Sequence, residues 1–105
     1  MTMAEPEYAF AALADPTRRA ILRILRKRDS LTVGALAEEF PDITRAGVSA
    51  HLRVLRHARL VEEKRSGKYR VYSLGPNRAD EVVKFLSEVY RQSLEDLQNP
   101  RQDEG

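Results

Sequence analysis

The chain has 105 residues, of which 32% are charged and none is cysteine, and its formal net charge is +2. This length fits one domain with a modest core, and the absence of cysteine excludes disulfides and thiolate metal sites. No apolar run approaches the roughly 20 residues that cross a bilayer. The first seven residues lack the basic and apolar regions of a signal peptide. We therefore expect a soluble cytoplasmic protein with no membrane partner.

Positive charge is concentrated in the middle third of the chain. Residues 44–72 hold eight Lys or Arg and two Glu, a net charge of +6, whereas residues 1–43 and 73–105 carry −1 and −3. A concentration of this kind is typical of a surface on which a phosphate backbone docks. A charged face that meets only solvent has the same composition.

The first 43 residues predict three short helices. The first covers residues 7–13, and Asp15-Pro16 starts the second, because Asp is a good N-cap and Pro fits the first helical turn. Thr32 caps a third helix over residues 33–40.

Residues 44–60 predict a fourth helix with two unlike faces. Thr44 is its N-cap, and Val48, Leu52 and Leu55 recur at helical spacing, so that this stripe packs inward. The opposite face carries small, hydroxyl-bearing and cationic side chains: Arg45, Ala46, Gly47, Ser49, Ala50, Arg53 and Arg56. Small residues let a helix enter the major groove of DNA, and Ser and Arg reach base edges and phosphates. An ordinary amphipathic surface helix has the same stripe.

The neighbours of this helix favour DNA binding. A tight turn at residues 41–43 joins the third and fourth helices, which makes a helix-turn-helix. After it, Ser66-Gly67 separates two strand-like runs and predicts a hairpin in which Val61 faces Tyr72 and Glu63 faces Arg70. The cations that crowd the hairpin tip are Lys64, Arg65, Lys68 and Arg70. A basic hairpin directly after a recognition-type helix is typical of a wing, and the alternative is a ribbon that only covers the core.

Asn77 is the predicted N-cap of a long last helix. Its apolar stripe consists of Val82, Val83, Leu86, Val89, Tyr90, Leu94 and Leu97. A small core does not need so long a stripe, so we expect dimerisation through Val82, Leu86, Val89, Tyr90 and Leu97, with Tyr8 and Phe10 of the first helix. The alternative is packing within one subunit. Residues 1–98 thus form one domain, and residues 99–105 are expected to be a disordered tail.

Several short segments together resemble the ArsR/SmtB family of winged helix-turn-helix repressors. They are residues 11–19 (AALADPTRR), 48–55 (VSAHLRVL), 60–61 (LV), the hairpin around Gly67, and 72–74 (YSL). The resemblance implies a mainly α fold with about five helices and a two-stranded wing. It also implies a homodimer that pairs through its first and last helices. Such a protein binds a palindromic operator near its own promoter, as an autorepressor.

Two departures from the family pattern carry information. Many members sense metals through cysteines in the third helix or through His and carboxylates in the last, but this chain has no thiol and no histidine in those helices. It therefore resembles the cysteine-free branch that does not sense metals, and we expect no cofactor; no inducer can be named. Arg59 stands where many relatives have glycine. A positive φ at that position would cost about 1 kcal/mol.

Catalysis and protein assembly are the rival functions. His51 and His57 lie about 240° apart on one helix, so they cannot share a metal within a subunit, and no nucleophile motif accompanies them. We therefore predict that the protein is not an enzyme. His51 either edges the core beside Val48 and Leu52, within reach of a phosphate, or binds a ligand. With Thr44 it completes the predicted DNA-binding set. A winged helix that only assembles proteins would not need a cationic recognition helix and a cationic wing.

Overall fold

The computed structural model describes the backbone of residues 5–98 and the side chains of residues 8–93 and 95–97. Its elements are α1 (Glu5–Leu13), α2 (Pro16–Arg28), β1 (Ser30–Thr32), α3 (Val33–Glu38), α4 (Arg45–His57), β2 (Val61–Ser66), β3 (Tyr69–Leu74) and α5 (Asp80–Gln98). The mainly helical fold class with five helices is confirmed for this part of the chain, and no helix in it is long and apolar enough to cross a membrane. The predicted tail at residues 99–105 lies outside the described residues.

Side-chain caps set the starts of three helices, as predicted. Oxygens of Asp15, Thr32 and Thr44 accept hydrogen bonds from backbone N–H groups two or three residues further on, at 2.8 to 3.1 Å. The predicted cap at Asn77 is wrong, because α5 begins three residues later. In the loop before α5, the Asn77 side chain instead accepts a hydrogen bond from the backbone N–H of Ala79 at 2.8 Å.

The core is built around α4. Val48, Leu52 and Leu55 are each 0% exposed, which confirms the predicted inward stripe. α3 packs against α4 across a short turn and completes the helix-turn-helix, while α1, α2 and β2 also contact α4. The rest of the buried cluster comprises Ala12, Ile21, Leu25, Leu36, Ala58, Leu60, Val61 and Tyr72. Since the core fixes one face of α4, the opposite face must point outward.

The wing belongs to a three-stranded antiparallel sheet with strand order β1-β3-β2. The two-stranded prediction holds for the hairpin β2–β3, but β1 adds a third strand, pairing Leu31 with Tyr72. β1 immediately precedes α3, so the sheet ties the base of the wing to the helix-turn-helix.

The predicted hairpin register is wrong by two residues because the turn lies one residue further along the chain. The turn is centred on Gly67 and Lys68, and Gly67 has a φ of +64°, a conformation that glycine adopts without steric cost. The observed pairs are Val61 with Leu74, Glu63 with Tyr72, and Arg65 with Arg70. As a result, Glu63 lies opposite a tyrosine instead of Arg70.

α4 ends at a left-handed residue. Arg59 has a φ of +64°, and the N–H of Leu60 donates to the carbonyl of Leu55 at 3.0 Å, as in a Schellman motif. The loop before α5 then binds this end, because the Asn77 side chain donates to the carbonyl of Ala58 at 2.7 Å. The positive φ that the sequence left open at Arg59 is thus present, and backbone hydrogen bonds support it.

Replacing Gly75 by alanine should destabilise the fold by about 1–3 kcal/mol, because a Cβ there has no space. It would lie 2.5 Å from the carbonyl oxygen of Arg59 and 3.0 Å from the carbonyl carbon of Val61, and both are backbone atoms. Urea unfolding measures the loss. Gly34→Ala is the control, since the nearest atoms to its Cβ would be those of the flexible Arg45 guanidinium, the first at 3.1 Å. Equal stability of the two variants would contradict the prediction.

Candidate nucleic-acid interface

A groove of about 430 Å³ runs between the outer face of α4 and the wing. It is lined by Thr32, Val33, Arg45, Ser49, Arg53, Arg56, Glu63, Lys68, Tyr69, Arg70 and Tyr72. Five of these side chains are cationic and one is acidic. The groove is therefore a positively charged concavity with a recognition-type helix on one side and a hairpin on the other.

The predicted DNA-binding residues divide into two groups around this groove. Those that line it are Arg45, Ser49, Arg53, Arg56, Lys68 and Arg70. Those outside its lining are Thr44, Ala46, Gly47, Ala50, His51, Lys64 and Arg65. In the second group, Thr44, Ala46 and Ala50 are exposed at the start of α4, and Lys64 and Arg65 are exposed on β2. Gly47 is half-buried.

His51 faces the helical body of the protein. It is half-buried, and its Nδ1 lies 3.3 Å from Nη1 of Arg18. The same guanidinium donates to the carbonyls of Ala12 and Ala11 at 2.8 and 3.1 Å. His51 therefore contributes to the junction of α1, α2 and α4.

Glu63 is the acid of the groove, and the sequence assigned it no role in the site. Its carboxylate accepts a hydrogen bond from the Tyr72 hydroxyl. It also lies 3.4 Å from Nη1 of Arg56 on α4 and 3.8 Å from Nη1 of Arg70 on β3. With its side chain only 18% exposed, Glu63 joins the recognition helix to both strands of the wing. The correct hairpin register would have revealed the pairing with Tyr72.

A second surface lies on α5. Among the described side chains of α5, the exposed apolar ones are Val83, Phe85, Leu86, Val89, Tyr90 and Leu97. The side chain of Leu94, which the predicted stripe included, lies outside the described residues. Phe10 of α1 is 40% exposed and meets Phe85 edge-to-face, with ring centroids 5.7 Å apart. Phe85 was absent from the predicted stripe, whereas Val82, which was included, is half-buried. Tyr8 is also half-buried, and its ring packs edge-to-face on the His57 ring, with the ring centroids 4.9 Å apart.

Comparison with known proteins identifies the family. Residues 13–64 match a family model described as a helix-turn-helix domain. The chain is 48% identical over 75 residues to the HTH-type transcriptional regulator Rv2034 of Mycobacterium tuberculosis, covering 71% of this chain and 68% of that protein. It is 33% identical over 88 residues to the transcriptional repressor SdpR of Bacillus subtilis, covering 84% and 96%. Both comparisons place the chain among helix-turn-helix transcriptional regulators.

A solved structure agrees with this assignment. The crystal structure of an ArsR family transcriptional regulator matches this fold with a TM-score of 0.72 at 30% sequence identity, covering 89% of this chain and 98% of that one. The chain belongs to the ArsR/SmtB family of winged helix-turn-helix repressors. The resemblance carried by the short segments is thereby confirmed, and this ArsR-family protein is a DNA-binding transcriptional regulator.

The ionisation of the groove acid follows from its neighbours. The hydrogen bond from Tyr72 lowers the pKa of Glu63 below its ordinary value, and the nearby guanidinium groups act in the same direction against the effect of burial. Burial, followed by the bond to Glu63, raises the pKa of the Tyr72 hydroxyl. At neutral pH the ArsR-family groove therefore holds a carboxylate and a protonated tyrosine.

Some cations of the interface form ion pairs with carboxylates and others do not. Glu63 pairs with Arg56 and Arg70, and Oε1 of Glu62 lies 3.5 Å from Nζ of Lys64. Among the described side chains, four other cations of this region form no ion pair: Arg45, Arg53, Arg65 and Lys68. Within residues 8–97, no cluster of three or more His, Asp or Glu could hold a metal ion. The expectation of a metal-free regulator stays a prediction.

Tyr72→Phe should raise the pKa of the Glu63 carboxyl, because it removes the largest cause of the lowered value. A lowered pKa in the folded state stabilises the fold above the unfolded pKa of glutamate, and this stabilisation is lost as pH falls through the folded pKa. The variant should therefore lose less stability on acidification. Carbon NMR titration of the carboxyl, with thermal unfolding, measures both. Tyr69→Phe is the control, and an unshifted Glu63 pKa in Tyr72→Phe would refute the assignment.

Proposed function

We propose that this protein binds duplex DNA as a homodimer, inserting the start of α4 into the major groove and laying the wing on the phosphate backbone. The observation that carries this proposal is the cationic groove between α4 and the wing, with its five cations and one acid. Phosphate contacts from Lys and Arg supply most of the affinity for DNA of any sequence. A winged helix used only for protein assembly gains nothing from such a groove.

In the proposed complex, the first half of α4 contacts bases, and its second half and the wing contact phosphates. Arg45 and Ser49 lie in its first half, the part of a recognition helix that meets base edges. Arg45 is a candidate to bind guanine O6 and N7, and its competing role is a phosphate clamp. Arg53 and Arg56 follow on the same face and would contact phosphates, as would Lys64, Arg65, Lys68 and Arg70 on the wing.

Dimerisation supplies the second half-site. The exposed apolar side chains of α5, together with Phe10, form a surface that monomers rarely leave open to water. We propose that this surface pairs with its copy across a two-fold axis, with Tyr8 at its edge. Such a dimer reads a palindrome whose half-sites are about one helical turn apart.

Repression in this proposal comes from occupying an operator near the promoter of its own gene. The similarity to SdpR, a protein named as a transcriptional repressor, supports the direction of control. We infer that neither catalysis nor a metal cofactor is involved, since the chain has no cysteine and its two histidines make separate contacts, His51 with Arg18 and His57 with Tyr8.

DNA binding should weaken steeply with salt, and Lys68→Ala should flatten the slope of log K against log salt by about 0.9. Lys68 lines the groove at the hairpin turn, so its removal deletes one phosphate contact whatever the DNA sequence. Fluorescence anisotropy with labelled duplexes measures the slope. Lys27→Ala removes an exposed cation from α2 and should leave the slope unchanged. Wild-type protein that showed no salt-dependent binding would favour the assembly module instead.

Val89→Glu should convert the dimer to a monomer, because the new carboxylate would be buried without a partner at a cost of several kcal/mol. Val89 is 53% exposed in the single subunit, so the variant should keep its helical content. Sedimentation and circular dichroism measure the two properties, and palindrome binding should be lost. Lys84→Glu, on the opposite face of α5, is the matched control. A wild-type protein that sedimented as a monomer at tens of micromolar would reject the dimer.

A further inference from the structure

A carboxylate stands where the proposed interface meets DNA phosphates. Glu63 lines the groove, and its side chain is mostly covered by the residues that it binds. An acid at this position repels phosphate and lowers the affinity for DNA. Its contact with Tyr72 does not require a charge, because a glutamine carbonyl would accept the same hydrogen bond. The charge must therefore be explained by the two guanidinium groups beside it.

The two guanidinium groups come from different elements. Arg56 projects from α4 and Arg70 from β3, at 3.4 and 3.8 Å from the carboxylate, and their side chains are 52% and 59% exposed. Each guanidinium has five N–H donors, so an arginine held by Glu63 keeps donors for a second anion. Arg53, by contrast, lies in the same groove without a carboxylate partner among the described residues.

We propose that Glu63 sets specificity by holding Arg56 and Arg70 in one orientation. This lowers the affinity for DNA that lacks the operator more than it lowers the affinity for the operator. The inference rests on the proposed DNA-binding function. On DNA without an operator no register is fixed, so binding depends mainly on the cations available to phosphates, and Glu63 withholds two of them.

Operator DNA responds differently because base contacts fix its register on α4. The phosphates then occupy defined positions, and guanidinium groups already oriented by Glu63 meet them without losing further side-chain freedom. If the Glu63 carboxylate were removed, Arg56 and Arg70 would be free to bind operator phosphates more strongly, but the two guanidinium groups would also lose their fixed orientation. The two effects oppose each other on the operator, whereas only the first acts on other DNA.

The test is Glu63→Gln, which keeps the size of the side chain and an acceptor for Tyr72. Affinity for a mixed-sequence duplex should rise about tenfold, and its salt slope should steepen by about one to two units, since up to two phosphate contacts are gained. Affinity for a duplex selected from a random pool by the wild-type protein should change less, so that the ratio of the two affinities falls. Circular dichroism checks that the variant is folded.

Glu39→Gln is the matched control, because it removes the same charge at the end of α3, where the partner is Arg28, a cation outside the groove and outside the proposed phosphate contacts. Equal effects of the two substitutions would overturn the inference, since net charge alone would then account for both. In a protein that already carries Arg56→Gln, Glu63→Gln should raise the affinity for mixed-sequence DNA by less, because one of the two arginines that it would release is absent.

A second comparison does not depend on the folding of Glu63→Gln. On mixed-sequence DNA, Arg53→Gln should lower the salt slope by about 0.9, whereas Arg56→Gln should lower it by clearly less, because Glu63 already occupies Arg56. Equal losses would overturn the inference while leaving the DNA-binding function intact. Wild-type protein without any salt-dependent DNA binding would overturn both.

Discussion

The complete burial of one stripe of α4 is the constraint on which the rest of this structure depends. Val48, Leu52 and Leu55 have no exposed surface, and α1, α2, α3 and β2 all pack against α4. Truncating such a side chain costs about 2–5 kcal/mol in other proteins, so α4 cannot rotate about its axis without losing much of the stability of a small domain. Its cationic face is consequently held outward in one orientation, which a helix that reads DNA requires.

The end of α4 is fixed as firmly as its face. Arg59 takes a left-handed conformation, and the loop that leads into α5 covers this end with hydrogen bonds from Gly75 and Asn77. Gly75 is needed because the backbone approaches too closely for any Cβ. The same few residues therefore position the recognition helix and the first turn of α5.

The sequence predicted most of the elements that depend on local chemistry, including the capped starts of α2, α3 and α4, the buried stripe of α4 and the existence of a hairpin. The cap at Asn77 was wrong. The other errors arose where non-local geometry decides. The hairpin register depended on whether Gly67 takes the first or the second turn position, and a shift of one residue in the turn moved every pair by two. The third strand and the contact of Phe10 with Phe85 join residues distant in sequence, and spacing along one helix gives no sign of either.

The groove shows why counting charges was informative but incomplete. Residues 44–72 carry a net charge of +6, and this number correctly located the cationic surface. Arg56, Lys64 and Arg70, however, already have carboxylate partners within the wing region, and Arg56 and Arg70 share Glu63. A cation with a partner must exchange or share it to bind a phosphate, whereas an unpaired one exchanges only water and counterions. What DNA meets is therefore determined by how the cations are divided between internal partners and solvent. Only the folded arrangement of α4 against the wing sets that division.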